Sequence, residues 1–381
     1  MVCAATSIAV LGAIVSACGG ASPTGGAAAR TSPSATQPPA TATPVSQPRN
    51  GNAPPARVGT ALGFDPITKT LLMFGGAPAT GRNVWTGHPA VRLDDTWAWD
   101  GTTWTQLHPA TSPPALFGAR MVNDPNTGHV LLLAGAGDSS GGAPGVLQQE
   151  GMWEWDGHTW SHTGDNPVQV PFAAAAADPG RRQVVLSGFD AAYPSACFQC
   201  TPLPAIDQGG DYVMRAGAAG WTAAAGQAPG WSRAGTAYDP ISQRIITTAG
   251  EQQNGVQWTY AWDGASWTRI IRSTAVGSTD PNQPAGLCDA ATDDAAGHIV
   301  MACAPGAAST DTWTFDGQAW QRVPAANTPA IPADPSLPSG AGLLSLAFDP
   351  AVHAVVMLVG GASGSETMAL WKQSAWVDVA S

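Results

Sequence analysis

From Arg57 onward the chain repeats itself, and this repeat constrains its architecture more than any other feature. Asp-Pro turns fall at Asp65, Asp124, Asp178, Asp239 and Asp349, with Asp293-Asp294 in the remaining slot. A Trp follows each at a similar offset: Trp104, Trp160, Trp221, Trp267, Trp320 and Trp376. Ahead of these stands Trp97-Ala98-Trp99-Asp100-Gly101, which recurs as Trp153-Glu154-Trp155-Asp156-Gly157, Tyr260-Ala261-Trp262-Asp263-Gly264 and Trp313-Thr314-Phe315-Asp316-Gly317. Units three and six keep degraded versions, Tyr212-Val213-Met214-Arg215 and Ala369-Leu370-Trp371-Lys372. Six matches at a period of about 55 residues mean propeller blades or a solenoid, because one such unit cannot bury its own apolar face.

Each unit reads as four short strands. In the first, Thr60 to Phe64 precedes the Asp65-Pro66 turn, and Leu71 to Phe74 runs to Gly75-Gly76. After a loop, Asp95 to Trp99 turns at Asp100-Gly101 into Thr103 to Leu107. Asp-Gly between alternating apolar residues is a strong hairpin signal, since both residues tolerate positive φ. Composition agrees: 45 Gly, 33 Pro, 16 Trp and only 11% charged residues suit many strands with tight turns. The expectation is an all-β, six-bladed β-propeller over residues 56–381, with four antiparallel strands per blade. The strands run first to fourth within each unit, so ring closure must come from packing blade six on blade one.

Gly-Gly after strand two, Trp-x-Trp in strand three and Trp at strand four resemble the kelch repeats of galactose-oxidase-like propellers. That resemblance covers about 325 residues and implies the fold, which hosts unrelated activities. An oxidase of that kind would need His ligands and a Tyr crosslinked to Cys. Tyr193, Tyr212, Tyr238 and Tyr260 carry no such mark, and no His pair falls at metal-ligand spacing. We therefore expect no cofactor, no metal and no catalytic constellation. His129, His298 and His353 occupy one repeat slot after the Asp turn and read as structural. A sialidase-like glycoside hydrolase is the alternative. The Asp-Gly-x-x-Trp hairpins are one residue shorter than its Asp box, and its carboxylate-binding arginines would come from Arg57, Arg120 and Arg233.

The first 55 residues differ in kind. Val2 to Ala17 is a short apolar run, and Val15-Ser16-Ala17-Cys18-Gly19 resembles the lipobox of bacterial lipoproteins. That resemblance implies a signal segment over 1–18, lipidation at Cys18 and an extracytoplasmic, membrane-anchored chain. Residues 19–55 are Ala, Ser, Thr, Pro, Gly and Gln-rich without aromatics, and read as a disordered tether. The body beyond residue 50 carries 14 basic and 27 acidic groups, net −13. That field repels phosphate, which argues against nucleic acid and leaves the lipid anchor as the only membrane contact.

Loop length points to a binding face. The strand 2–3 loops of blades one to three run Ala77 to Leu93, Ala136 to Glu150 and Phe189 to Gly210, whereas the other blades have short ones. Three Trp residues fall outside the repeat positions: Trp85, Trp231 and Trp258. With Arg82 and His88 beside it, Trp85 combines a ring for stacking with polar donors, so Arg82, Trp85, His88 and Trp231 are the candidate ligand-binding residues. The carboxylates open to an enzymatic alternative there are Asp94, Asp95, Asp138, Glu150, Asp190 and Asp207. Hairpin register sets Cys288 opposite Cys303 and predicts a disulfide. Cys197 and Cys200 form a local disulfide, half of a zinc site or a redox pair, in that order. The function expected is a monomeric binding or scaffold module for a surface protein or a cell-wall glycan.

Overall fold

The computed structural model describes residues 53–78, 91–137, 151–168, 172–189, 209–215, 220–224, 234–250, 256–276, 284, 287–306, 309–324, 343–360 and 366–379. These form six four-stranded antiparallel sheets, each built from one continuous stretch of chain with its strands in sequence order. Blade one is Ala61–Asp65, Thr70–Phe74, Thr96–Trp99 and Trp104–Leu107; blade two is Arg120–Asn123, Val130–Leu133, Met152–Trp155 and Trp160–Gly164. Blade three is Ala174–Asp178, Gln183–Phe189, Gly209–Arg215 and Trp221–Ala223; blade four is Thr236–Asp239, Arg244–Gly250, Val256–Trp262 and Trp267–Val276. Leu287–Asp293, His298–Gly306, Ser309–Phe315 and Trp320–Arg322 make blade five. Leu343–Asp349, Ala354–Gly360, Glu366–Lys372 and Ala375–Asp378 make blade six. The degraded third and sixth units thus form complete blades, because strand pairing needs alternation and turns more than any one aromatic.

The repeated residues hold neighbouring blades together. Asp65 is fully buried; it accepts Ile67 N at 2.9 Å and Thr68 Oγ1 at 2.7 Å within its own turn. It also accepts the Trp155 indole N–H of blade two at 2.9 Å. At the other hairpin, Asp100 Oδ1 accepts the N–H groups of Thr102 and Thr103, both at 2.8 Å. Those bonds and the Thr102 hydroxyl favour the carboxylate and hold Asp100 down at about 2. Between blades lie the apolar clusters, one of which joins Leu132, Trp155 and Trp160 of blade two to Leu72 and Phe74 of blade one.

One feature departs from the sequence expectation. In blades one and two the first two strands continue past a kink as short ladders, Arg57–Val58 with Ala77–Pro78 and Leu116–Phe117 with Ala136–Gly137. In blade one the kink falls at Gly75 and Gly76, whose φ values of 66° and 91° break the ladder register.

The ring closes by face packing. Leu62, Met73 and Trp99 of blade one pack on Ala347, Val356 and Leu358 of blade six. Ser345 Oγ donates to Thr60 O at 2.8 Å across the same seam. The backbones approach so closely that a Cβ on Gly360 would stand 1.9 Å from Arg57 O. Among the described residues, no helix is long and apolar enough to cross a membrane.

Candidate functional site

The strand bounds place the long connections on one face. Between strands two and three lie residues 79–95, 138–151 and 190–208 in blades one to three, against 251–255, 307–308 and 361–365 in blades four to six. Each long connection has a polar anchor at its base. In blade one Arg57, 1% exposed, donates Nη2 to Asp95 Oδ2 at 2.8 Å and Nη1 to both Asp95 Oδ1 and Gly75 O. Trp97 Nε1 donates to the same carboxylate at 2.6 Å. Burial works to raise Asp95, but the bonds and charge of Arg57 outweigh it and hold the carboxyl below its usual range. In blade two the buried Asn166 donates Nδ2 to Gly151 O at 2.9 Å.

In blade three Ser187 Oγ donates to Asp211, and both side chains are buried. Burial pushes the Asp211 carboxyl up to about 6. Ser187 and the Trp267 indole of blade four pull it back, although the indole falls short of full hydrogen-bond geometry. Backbone bonds run between these three blades on the same face: Gly118 N to Gly59 O at 2.8 Å, and Phe172 N to Gly118 O at 2.6 Å. Phe117 and Phe172 meet edge to face at 5.2 Å beside them. The three long loops therefore spring from a continuous, bonded floor, the kind of rigid base that lets variable loops carry recognition.

A second feature lies on the axis. A cavity of about 50 Å³ is lined by one residue or more from every innermost strand, including Ala61, Arg120, Ala175, Thr236, Asp289 and Ser345. That volume has room for a few waters and is far below the several hundred Å³ of a ligand pocket. Arg120 Nη1 meets Asp289 Oδ1 at 2.8 Å inside it. Arg57 and Arg120 are thus each paired to a carboxylate of the chain rather than converging on a shared site, and Arg233 lies outside the described residues.

Of the residues read from the sequence, Arg82, Trp85, His88, Trp231, Cys18, Cys197 and Cys200 lie outside the described residues, as do Asp138, Glu150, Asp190 and Asp207. Asp94 is exposed, and Asp95 is engaged by Arg57. Cys288 and Cys303 are cross-strand partners joined by a disulfide, with Cα atoms 4.0 Å apart. His129 pairs with Glu154 at the predicted hairpin slot. Trp258 lies under the Arg269 guanidinium at 4.8 Å. Among the described residues no cluster of His, Cys, Asp and Glu could hold a metal ion.

One inter-blade bond escaped sequence reading. The strand-four Trp of one blade donates its indole N–H to a buried strand-three Thr of the preceding blade. The pairs are Trp160 to Thr96 at 3.0 Å, Trp320 to Thr259 at 2.9 Å and Trp376 to Thr312 at 2.9 Å. The signal was present, since these three Thr residues stand at one repeat position. Asp211 fills that position in blade three, and Met152 fills it in blade two, where the Trp221 indole has no acceptor.

No family model matches the chain, and no curated protein does. Among solved structures it is similar to SapL1 lectin in complex with alpha methyl fucoside, at 14% identity and TM-score 0.52 over 86% of this chain and 96% of that one. It is similar to YjhT at 11% identity and TM-score 0.52, over 86% and 99% of the two chains. An arginine-to-alanine triple mutant of AofleA from Arthrobotrys oligospora matches at 10% identity and TM-score 0.50, over 86% and 87%. At such identities the likeness is one of fold, and it agrees with the strand topology: the chain is a six-bladed β-propeller.

Proposed function

We propose that this chain is a membrane-tethered, extracytoplasmic binding module that recognises a glycan through the strand 2–3 loops of blades one to three. The observation that carries the reading is the asymmetry of the ring. Three adjacent blades carry strand 2–3 connections of 14 to 19 residues on a bonded floor, and those of the opposite three have five residues or fewer. Among the described residues the axial cavity, at about 50 Å³, is too small for a sugar ring, which favours the loops as the binding surface. A propeller of similar fold that is named a lectin was solved with a fucoside, which supports a carbohydrate as the ligand class. The lipobox-like Val15–Gly19 and the tether after it supply the anchor, and a disulfide suits an oxidising compartment outside the cytoplasm.

The test is retention of the compact unit Ser46–Ser381 on purified cell-wall polysaccharide and on immobilised α-fucoside, wild type beside Trp85→Ala. Retention of wild type and its loss in the variant is the expected result. Equal retention of both proteins would remove Trp85 from the site. Retention of neither would overturn the glycan reading in favour of a protein partner.

A further inference from the structure

The Arg120–Asp289 pair belongs to no loop: each partner stands four residues before the turn Asp of its blade, Asp124 or Asp293, so the two fill one repeat slot in different blades. Arg120 lies on the innermost strand of blade two and Asp289 on that of blade five. Innermost strands neighbour one another in blade order and close back from Leu343–Asp349 to Ala61–Asp65. Blades two and five are therefore diametrically opposed, and this ion pair spans the axis. Each partner holds a further blade. Arg120 Nε donates to Ala173 O at 3.1 Å, on the lead-in to blade three. Asp289 Oδ2 accepts the backbone N–H of Leu346 in blade six at 2.9 Å, and Oδ1 accepts Ala290 N at 3.0 Å. The side chains are only 16% and 10% exposed, so water screens the pair weakly.

We infer that this pair is an axial latch that closes the central channel and holds the blade six–blade one seam in place of strand exchange. The seam has no shared strand, because blade one and blade six are each built from one continuous stretch of chain. Leu346 N, bonded by Asp289, is adjacent in sequence to Ser345, whose hydroxyl bonds Thr60 O across the seam. Tension at the seam thus passes through Asp289 to Arg120 and to the far side of the ring. A ring closed only by apolar faces can slide, whereas directional bonds to fixed backbone atoms set its register.

Hydrogen exchange of the full chain tests the latch. In Arg120→Met/Asp289→Leu no unpaired charge remains, so global stability is largely kept while the directional bonds vanish. The expected result is exchange about tenfold faster or more at residues 61–65 and 343–349, with residues 183–189 and 244–250 close to wild type. Wild-type exchange at the seam, or equal acceleration in all blades, would overturn the latch. Should that double variant not fold, Arg120→Ala/Asp289→Ala removes the same side-chain bonds and both charges without adding bulk, and the same two comparisons decide.

Discussion

Asp211 stands where blades one, four and five place a Thr that receives an indole N–H from the next blade, and this substitution has a measurable consequence. Its carboxyl is 6% exposed and is raised to about 6, against 3.8 for an unperturbed Asp. Between those two values the folded protein binds a proton that the unfolded chain has lost. Stability therefore falls as pH rises from about 4 to about 6, and the loss persists above. The shift of about two units at roughly 1.4 kcal/mol each makes the ionised carboxylate cost on the order of 3 kcal/mol at pH 7. Asp211→Asn keeps an oxygen for the Ser187 hydroxyl and removes the charge. We expect the variant to match wild type near pH 4 and to exceed it by about 3 kcal/mol near pH 7. With an unfolding entropy of about 2 cal/mol/K per residue, that is a rise of roughly 4 °C in melting midpoint for a propeller of this size. Scanning calorimetry at pH 4.5 and 7.5 is the assay. A difference between variant and wild type that is the same at both pH values would refute the reasoning, because only the ionised form is disfavoured.

Two further outcomes follow from the geometry. Cys288→Ser/Cys303→Ser opens a crosslink spanning 15 residues and is expected to cost about 3 kcal/mol on the chain-entropy account; denaturation with and without reductant should show wild type, and not the variant, responding to reduction. Trp160→Phe removes a buried bond to Thr96 and should cost about 1–3 kcal/mol more than Trp221→Phe, whose indole already lacks an acceptor. Urea midpoints that rank the two variants the other way would show that packing, not the bond, sets the value.

Much of this protein is written along the chain at short range. A hairpin needs only its own turn and two alternating runs, so Asp100-Gly101 and Asp65-Pro66 announce strands that the structure sets within a residue of expectation. Pairing register follows from the same hairpin, which is why Cys288 and Cys303 could be matched without coordinates. The period then determines blade number, because each unit must cover its neighbour's face. Inter-blade contacts are legible only in part. The Thr that precedes Trp97 recurs at Thr259 and Thr312, yet nothing local tells that its partner is a Trp some 60 residues on.

The candidate site divides the same way. Loop length is a sequence property, and it singles out blades one to three. The anchors beneath those loops join residues brought together by folding, such as Arg57 with Asp95 and Ser187 with Asp211. Sequence could offer Arg57 and Arg120 to a common anion, since both precede or begin an innermost strand. Only the closed ring decides otherwise, because it puts a carboxylate against each one, Asp95 from the same blade and Asp289 from the opposite blade. Strands and turns are set by residues a few positions apart, and those the sequence determined by itself. A pair such as Arg120 and Asp289 exists only after six blades have met around one axis, and that lies in the tertiary structure alone.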